Sequence, residues 1–122
     1  MLFEKAAAQG NPAGLNSLAA LYNTGQGVPQ DFKKAKQLYE QAAAAGNVNA
    51  MNNIGFLYAR GMGVPQDFEQ ARQWYEKAVA AGSACAMTNL GRIYESGQGV
   101  KPDQKQAQQL FDKAKALGTC GM

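Results

Sequence analysis

The sequence predicts an all-α fold of stacked helical hairpins, and three observations lead to this fold class. A glycine ends each alanine-rich stretch, and these glycines stand 36 residues apart, at Gly10, Gly46, Gly82 and Gly118. Within each interval, two stretches carry apolar residues at spacings of three and four, which is the pattern of one helix face. A phrase rich in Gly and Pro separates the two stretches. A fixed period of this length is typical of solenoids, in which each repeat packs only on its neighbours.

The period divides the chain into units and indicates a single repeat domain over residues 1–122. The units 11–46, 47–82 and 83–118 are complete repeats of two helices. Residues 1–10 resemble a second helix without its partner, and residues 119–122 form a short tail. A chain of 122 residues is the size of one ordinary domain and can bury a useful core without disulfide bonds.

The first helix of each repeat is predicted from its apolar stripe and its capping residue. In the second repeat the stripe is Met51, Ile54, Gly55 and Tyr58, and Asn47 stands at the N-cap position. Asn11 and Ser83 are the equivalent caps. A mid-helix glycine costs about 1 kcal/mol relative to alanine, so Gly55 and Gly91 predict a neighbouring helix that approaches closely.

The second helix of each repeat is predicted in the same way. Its stripe in the second repeat includes Phe68, Trp74 and Tyr75. Asp67 is placed to cap its N-terminus, and Gln70 three residues later completes a capping-box pattern. We expect the tyrosines and phenylalanines of both stripes to fill the space between hairpins.

The glycine-rich phrase between the helices is interpreted as a turn. It reads GQGVPQD at 25–31, GMGVPQD at 61–67 and GQGVKPD at 97–103. A phosphate-binding loop would follow a strand and carry a Gly-Lys-Ser/Thr sequence, and neither is present in the pattern. Instead, Gly61 and its equivalents suit the left-handed residue that ends a helix, and Pro65 prevents its continuation.

Composition bounds the function classes. The chain has no His and a net charge of only +3 spread along its length, which argues against a metal site, against nucleic acid and against an anionic membrane. Neither a membrane-spanning run nor the pattern of a signal peptide stands in the sequence, so a soluble chain of unknown compartment is expected. Cys85 and Cys120 are expected as simple thiols, with a bridge possible only if the tail folds back.

The repeats resemble a known family. The pattern A-x-x-N-[IL]-G-x-[LI]-Y-x-x-G-x-G-V-x-x-D-x-x-x-A-x-x-x-[YF]-x-x-A runs through residues 11–118 and looks like that of Sel-1-like repeat proteins, relatives of the tetratricopeptide repeats. The resemblance implies a right-handed α/α superhelix that serves as a scaffold for protein complexes. Bacterial relatives are often periplasmic or secreted. Some have been described as β-lactamase-like or penicillin-binding, but these carry cysteines in every repeat, which this chain does not.

Candidate binding residues lie on the side of the first helices opposite the apolar stripe, which would line the concave wall of the superhelix. Their carboxamide, aromatic and guanidinium groups suit a peptide backbone, an apolar side chain and a carboxylate respectively. The predicted concave residues are Asn49, Asn52, Asn53, Phe56, Arg60, Thr88, Asn89, Arg92 and Glu95. Two simpler interpretations of Asn53 and Asn89 stay open: solvated side chains, or hydrogen bonds that tie one hairpin to the next.

The leading functional hypothesis is a non-enzymatic scaffold that binds a peptide or protein segment along this wall, with no cofactor and no catalytic residue. One alternative is a β-lactamase-like or penicillin-binding protein, although the sequence offers no His and no Ser-x-x-Lys spacing. The other is a structural spacer with an empty groove. Because residues 1–10 lack a first helix, self-association through that edge is also possible.

Overall fold

The computed structural model describes residues 11–118, and within them six helices are joined by turns, with no strand. Each helix has 13 residues: α1 Pro12–Thr24, α2 Phe32–Ala44, α3 Val48–Arg60, α4 Phe68–Ala80, α5 Ala84–Ser96 and α6 Gln104–Ala116. The predicted partial repeat at 1–10 and the tail at 119–122 lie outside the described residues.

The helices pack in chain order. The most extensive contacts join α1 with α2, α3 with α4, and α5 with α6, and these are the three hairpins that the sequence predicts. Successive hairpins then meet through α2 against α3 and α4 against α5. Extensive contacts that join chain neighbours are the mark of a solenoid, so the all-α solenoid is confirmed.

The predicted ends of the first helices are confirmed. The side-chain oxygen of Asn47 accepts from the backbone N–H of Ala50 at 2.8 Å, and Asn11 and Ser83 cap α1 and α5 in the same way. Gly61 follows α3 in the left-handed conformation, with φ of 65°, and its N–H donates to the carbonyl of Leu57. The glycine-rich phrase is therefore a helix-ending turn.

The start of the second helix is capped, but the capping box is only half formed. Asp67 Oδ1 accepts from the backbone N–H of Gln70 at 3.1 Å, as predicted. The backbone N–H of Asp67 donates to the carbonyl of Tyr58 at 2.9 Å, whereas a full capping box would direct the Gln70 side chain to it. The backbone N–H of Asp67 is used in this way because the loop folds Asp67 back onto the C-terminal end of α3.

A glutamine side chain closes each turn onto the preceding helix. Gln66 Nε2 donates to the carbonyl of Ala59 at 2.9 Å, and Gln30 makes the equivalent bond in the first repeat. In the third repeat Pro102 replaces this glutamine. There Gln104 Nε2 reaches the equivalent carbonyl, that of Glu95, at 3.1 Å. The third repeat has Lys101-Pro102 where the others have Pro-Gln, and it keeps the contact through Gln104 instead.

The core lies between the two layers of helices. Tyr39 and Tyr75 are buried, as predicted, and the ring of Tyr75 lies against Gly55 while that of Phe111 lies against Gly91. The close approach that the mid-helix glycines predict is therefore made by an aromatic ring of the second helix in the same repeat. Leu57 is only 1% exposed, and the predicted stripe did not include it. This core leaves the opposite side of α1, α3 and α5 for other contacts.

Candidate functional site

A concavity lies on the first helices of all three repeats. It is open to solvent and has a volume of about 410 Å³. We call it the asparagine groove, and its lining residues are Asn16, Asn23, Asn49, Asn52, Asn53, Phe56, Cys85, Asn89 and Arg92. Six of the nine predicted concave residues line the groove. Positions 49, 53 and 56 share one face of α3, and the first helices α1 and α5 present the equivalent face on either side.

Asparagine pairs cross the groove from one repeat to the next. Asn53 Nδ2 donates to Asn16 Oδ1 at 3.1 Å, which joins α3 to α1. Asn89 Nδ2 donates to Asn52 Oδ1 at 3.0 Å and joins α5 to α3 in the same manner. The two side chains of each pair are half-buried. Asn53 and Asn89 therefore do tie one hairpin to the next by hydrogen bonds, and each tie uses one N–H of the side chain.

These bonds leave most of the hydrogen-bonding capacity of the carboxamides unused. An asparagine side chain can donate twice and accept twice, and each pair spends one N–H and one lone pair. Asn53 and Asn89 thus keep their oxygens and a second N–H at the groove wall. Asn49, one turn before Asn53 on α3, is exposed. The same side chains can align the repeats and bind a ligand.

An aromatic ring and a guanidinium group lie next to the asparagines. Phe56 is 37% exposed, and Phe56 and Leu117 are the exposed large apolar residues of the described range. The Cζ atom of Arg60, one turn further along α3, lies 5.1 Å from the centre of the Phe56 ring. At this distance the guanidinium stacks on the ring as a cation–π pair, which holds both side chains at the surface.

The predicted residues that do not line the asparagine groove have other positions. Arg60 and Glu95 line an adjacent depression of about 350 Å³, together with Arg92, so they lie beside the groove. Thr88 is absent from the lining of both, and its hydroxyl donates to the carbonyl of Ala84 at 3.2 Å. Thr88 is shorter than an asparagine, and its hydroxyl bonds within its own helix.

Asn16 is a groove residue that the predicted set missed. It occupies the register of Asn52, 36 residues earlier, and accepts the bond from Asn53. The repeat alignment therefore contained the signal, since Asn52 was in the predicted set and Asn16 is its equivalent.

Tyr75 lies buried beside Phe56 and interacts with the charges of two arginines. Burial raises the pKa of Tyr75, while the charges of Arg60 and Arg92 act in the opposite direction. The phenol is therefore neutral at ordinary pH, and both guanidinium groups lie near enough to interact with it. Arg60 and Arg92 themselves are exposed at the surface.

Cys85 lines the asparagine groove and is disulfide-bonded, so the expectation of a simple thiol at this position is wrong. The other cysteine of the sequence, Cys120, lies outside the described residues.

Residues 11–118 contain no cluster of three His, Cys, Asp or Glu side chains that could hold a metal ion. None of their helices combines the length and the apolar character that crossing a membrane requires.

Comparison with known proteins agrees with the repeat architecture. The Sel1 repeat profile matches residues 1–11, 12–47, 48–83 and 86–119. No curated protein matches the sequence significantly.

Solved structures of repeat proteins are similar to the chain. A Sel1 repeat protein from Oxalobacter formigenes is 36% identical, with a TM-score of 0.89 over 96% of this chain and 48% of its own. A protective antigen of uropathogenic Escherichia coli strains with an SLR fold is 35% identical, with a TM-score of 0.85 over 96% of this chain and 25% of its own.

Cysteine-rich protein B of Helicobacter pylori is 28% identical, with a TM-score of 0.75 over 97% of this chain and 84% of its own. The chain spans about half the length of the Oxalobacter protein and a quarter of the Escherichia antigen. Sel1 repeat proteins are generally non-catalytic scaffolds for protein interactions. By profile, repeat length and structure, the chain belongs to the Sel1 repeat family.

Proposed function

We propose that this protein binds an extended peptide segment of a partner protein in the asparagine groove. The observation that carries the proposal is the set of asparagines that line the groove across all three repeats with donors and acceptors to spare. An extended backbone offers alternating N–H and C=O groups. A carboxamide can pair with either, so it can bind a backbone whatever the sequence of the peptide.

The pairing of the asparagines across repeats supports this role. Each of Asn53 and Asn89 is held by a bond to the preceding repeat, so its side chain loses less conformational freedom when a ligand binds. Pre-ordering of this kind lowers the entropic cost of association. A spacer with an empty groove needs no such row of half-satisfied amides.

Phe56 supplies the apolar contact that a row of amides lacks. It is a large ring exposed at the groove wall, at the register where the first and third repeats carry Ala20 and Arg92. Exposed aromatic residues beside polar groups are frequent anchors of binding interfaces. Phe56 is therefore expected to contribute most of the apolar binding energy.

The experiment is a peptide selection followed by measurement of affinity. Random peptides displayed on phage are selected on the 122-residue chain, and the enriched peptides are synthesised with a fluorophore for anisotropy titrations. Phe56→Ala is expected to weaken binding about tenfold or more. Asn49→Ala tests the amides without disturbing a bond between repeats.

The control is Gln73→Ala, which changes an exposed amide on α4, away from the groove. It is expected to bind with unchanged affinity. If the selected peptides bind Phe56→Ala and Asn49→Ala as tightly as the wild type, the groove is not the binding site.

A further inference from the structure

The side of the asparagine groove around Phe56 holds two arginines that have no carboxylate partner among the described residues. Between residues 11 and 118 the ion pairs are Lys36 with Glu40 and Arg72 with Glu76, both on second helices. Arg60 and Arg92 take part in neither. Glu95 borders the adjacent depression with them, but no ion pair forms. An uncompensated pair of cations is complementary to an anion.

The two arginines lie on either side of Phe56, one on the same helix and one on the equivalent helix of the next repeat. Arg92 has the register of Phe56 one repeat later, so it lies across from the ring on α5. Arg60 lies one turn along α3 and stacks on the ring. All three line one small depression of about 80 Å³, with Tyr75 at its floor. The charges of both arginines also act against the burial that raises the pKa of Tyr75.

We propose that this depression, which we call the arginine pocket, takes an acidic side chain of the bound peptide next to an apolar residue that packs on Phe56. The inference rests on the proposed function, because the same peptide backbone would lie in the asparagine groove. A guanidinium group binds a carboxylate through two parallel N–H···O bonds, which gives preference for an acid over its amide.

The source of the carboxylate is an internal Asp or Glu side chain rather than a chain terminus. The arginine pocket shares Phe56, Asn89 and Arg92 with the asparagine groove, so it is a branch of that groove. A backbone that follows the asparagines can send a side chain into the branch. A terminal carboxylate would reach it only if the backbone left the asparagines.

The test uses the selected peptides, each prepared in three forms. The first keeps the acidic residue and has an amidated C-terminus, the second replaces the acid by Asn or Gln, and the third has a free C-terminal carboxylate. The inference expects enrichment of an Asp or Glu next to an aromatic or large aliphatic residue. It also expects about tenfold weaker binding of the amide form, and equal binding with either C-terminus.

Variants of the protein give an independent readout. Arg60→Gln/Arg92→Gln is expected to bind the acidic and amide forms equally, and Arg92→Glu to prefer peptides with a basic residue at the same place. Lys33→Gln/Lys105→Gln removes two exposed charges from second helices and is the matched control, with the preference for the acid retained.

The outcomes separate the two proposals. If peptides bind, depend on Phe56 and Asn49, and show no preference for the acid, the arginine pocket is overturned and the groove stands. A requirement for the free C-terminus also overturns it. If no selected peptide depends on Phe56 or Asn49, both proposals fail together.

Discussion

The ring of Tyr75 lies so close to Gly55 that a Cβ atom at residue 55 would come within 2.7 Å of two of its carbons. This contact joins α3 to α4 inside the second repeat, and Gly91 with Phe111 repeats it in the third. The first repeat has Ala19 and Tyr39 at these registers, and both are buried. An alanine therefore fits at this register in the first repeat, whereas in the second and third repeats the facing ring leaves no room for a Cβ atom.

Gly55→Ala is expected to destabilise the protein by roughly 1 kcal/mol. Overpacking of a core typically costs about 1–3 kcal/mol, and the gain in helix propensity returns up to about 1 kcal/mol. Urea denaturation followed by circular dichroism measures the difference. Tyr75→Leu in the Gly55→Ala background is expected to remove the clash, so the two changes should be non-additive. A Gly55→Ala variant more stable than the wild type would show that the ring moves without cost.

The turn glycines offer a matched pair. Gly27 and Gly63 occupy the same register with φ of 78° and 77°. A Cβ at Gly63 would collide with the Cβ of Phe32 in the preceding hairpin, whereas a Cβ at Gly27 meets no described atom within 4 Å. Gly27→Ala therefore measures backbone strain alone, at roughly 1–2 kcal/mol.

Gly63→Ala is expected to cost that amount and a further packing penalty, because the substituted turn must move away from α2. Thermal unfolding of the two variants checks this difference directly. Equal loss of stability in both would mean that the turn does not contribute to the contact between hairpins.

The asparagine pair of the first two repeats is expected to couple energetically. A double-mutant cycle of Asn53→Ala and Asn16→Ala should give an interaction energy of about 0.5–1.5 kcal/mol, since each change removes one partner of the same hydrogen bond. Asn49→Ala is the control and should leave stability unchanged, because Asn49 is exposed. Strict additivity of the two substitutions in urea denaturation would contradict the structure.

Alkaline pH is expected to destabilise the protein through its buried tyrosines. Burial raises the pKa of Tyr39 from 10.0 to about 12, and it raises that of Tyr75 as well. Between pH 10 and 12 the unfolded chain has lost the proton that the folded Tyr39 retains. Its contribution to stability is therefore complete below pH 10 and declines above it, by at most about 1.4 kcal/mol per pH unit.

In this pH range the free energy of unfolding of Tyr39→Phe should decline less steeply with pH than that of the wild type. Gln37→Ala, an exposed change on the same helix, should keep the full slope. The measurement is a series of urea midpoints from pH 8 to 12. A slope that Tyr39→Phe leaves unaltered would show that other groups govern the alkaline transition.

β-Lactam hydrolysis is expected to be absent. The sequence has no His and no Ser-x-x-Lys spacing, so no nucleophile is paired with a base. Incubation of the purified chain with nitrocefin checks this, with a buffer blank and a known β-lactamase as controls. Colour development above the blank would restore the enzymatic alternative.

Much of the fold follows from the sequence because local rules repeat. The caps at Asn47 and Asp67 and the turn at Gly61 are set by residues within a few positions of each other, and the structure has them where the pattern predicts. Leu57 was missed because its register lies at the border between the buried and the groove-facing sides of α3. Only the packing of the neighbouring hairpin decides which side it joins.

The candidate site was less predictable because it depends on relations between repeats. That Asn53 pairs with Asn16 requires the offset between α3 and α1, which the spacing of residues along one helix does not contain. The absence of Thr88 from the groove has a local origin instead, because its hydroxyl bonds to the carbonyl of Ala84 within α5. The stacking of Arg60 on Phe56, by contrast, joins residues four apart on one helix, a spacing that can be read from the sequence.

The most direct test of peptide binding in the groove is nuclear magnetic resonance of the ¹⁵N-labelled chain during titration with a selected peptide. The side-chain amide signals of Asn49, Asn53 and Asn89 and the Nε signal of Arg92 are expected to shift, and those of Gln37 and Gln73 on the second helices to stay in place. Shifts confined to residues of α2, α4 and α6, with the asparagine amides unmoved, would contradict the account.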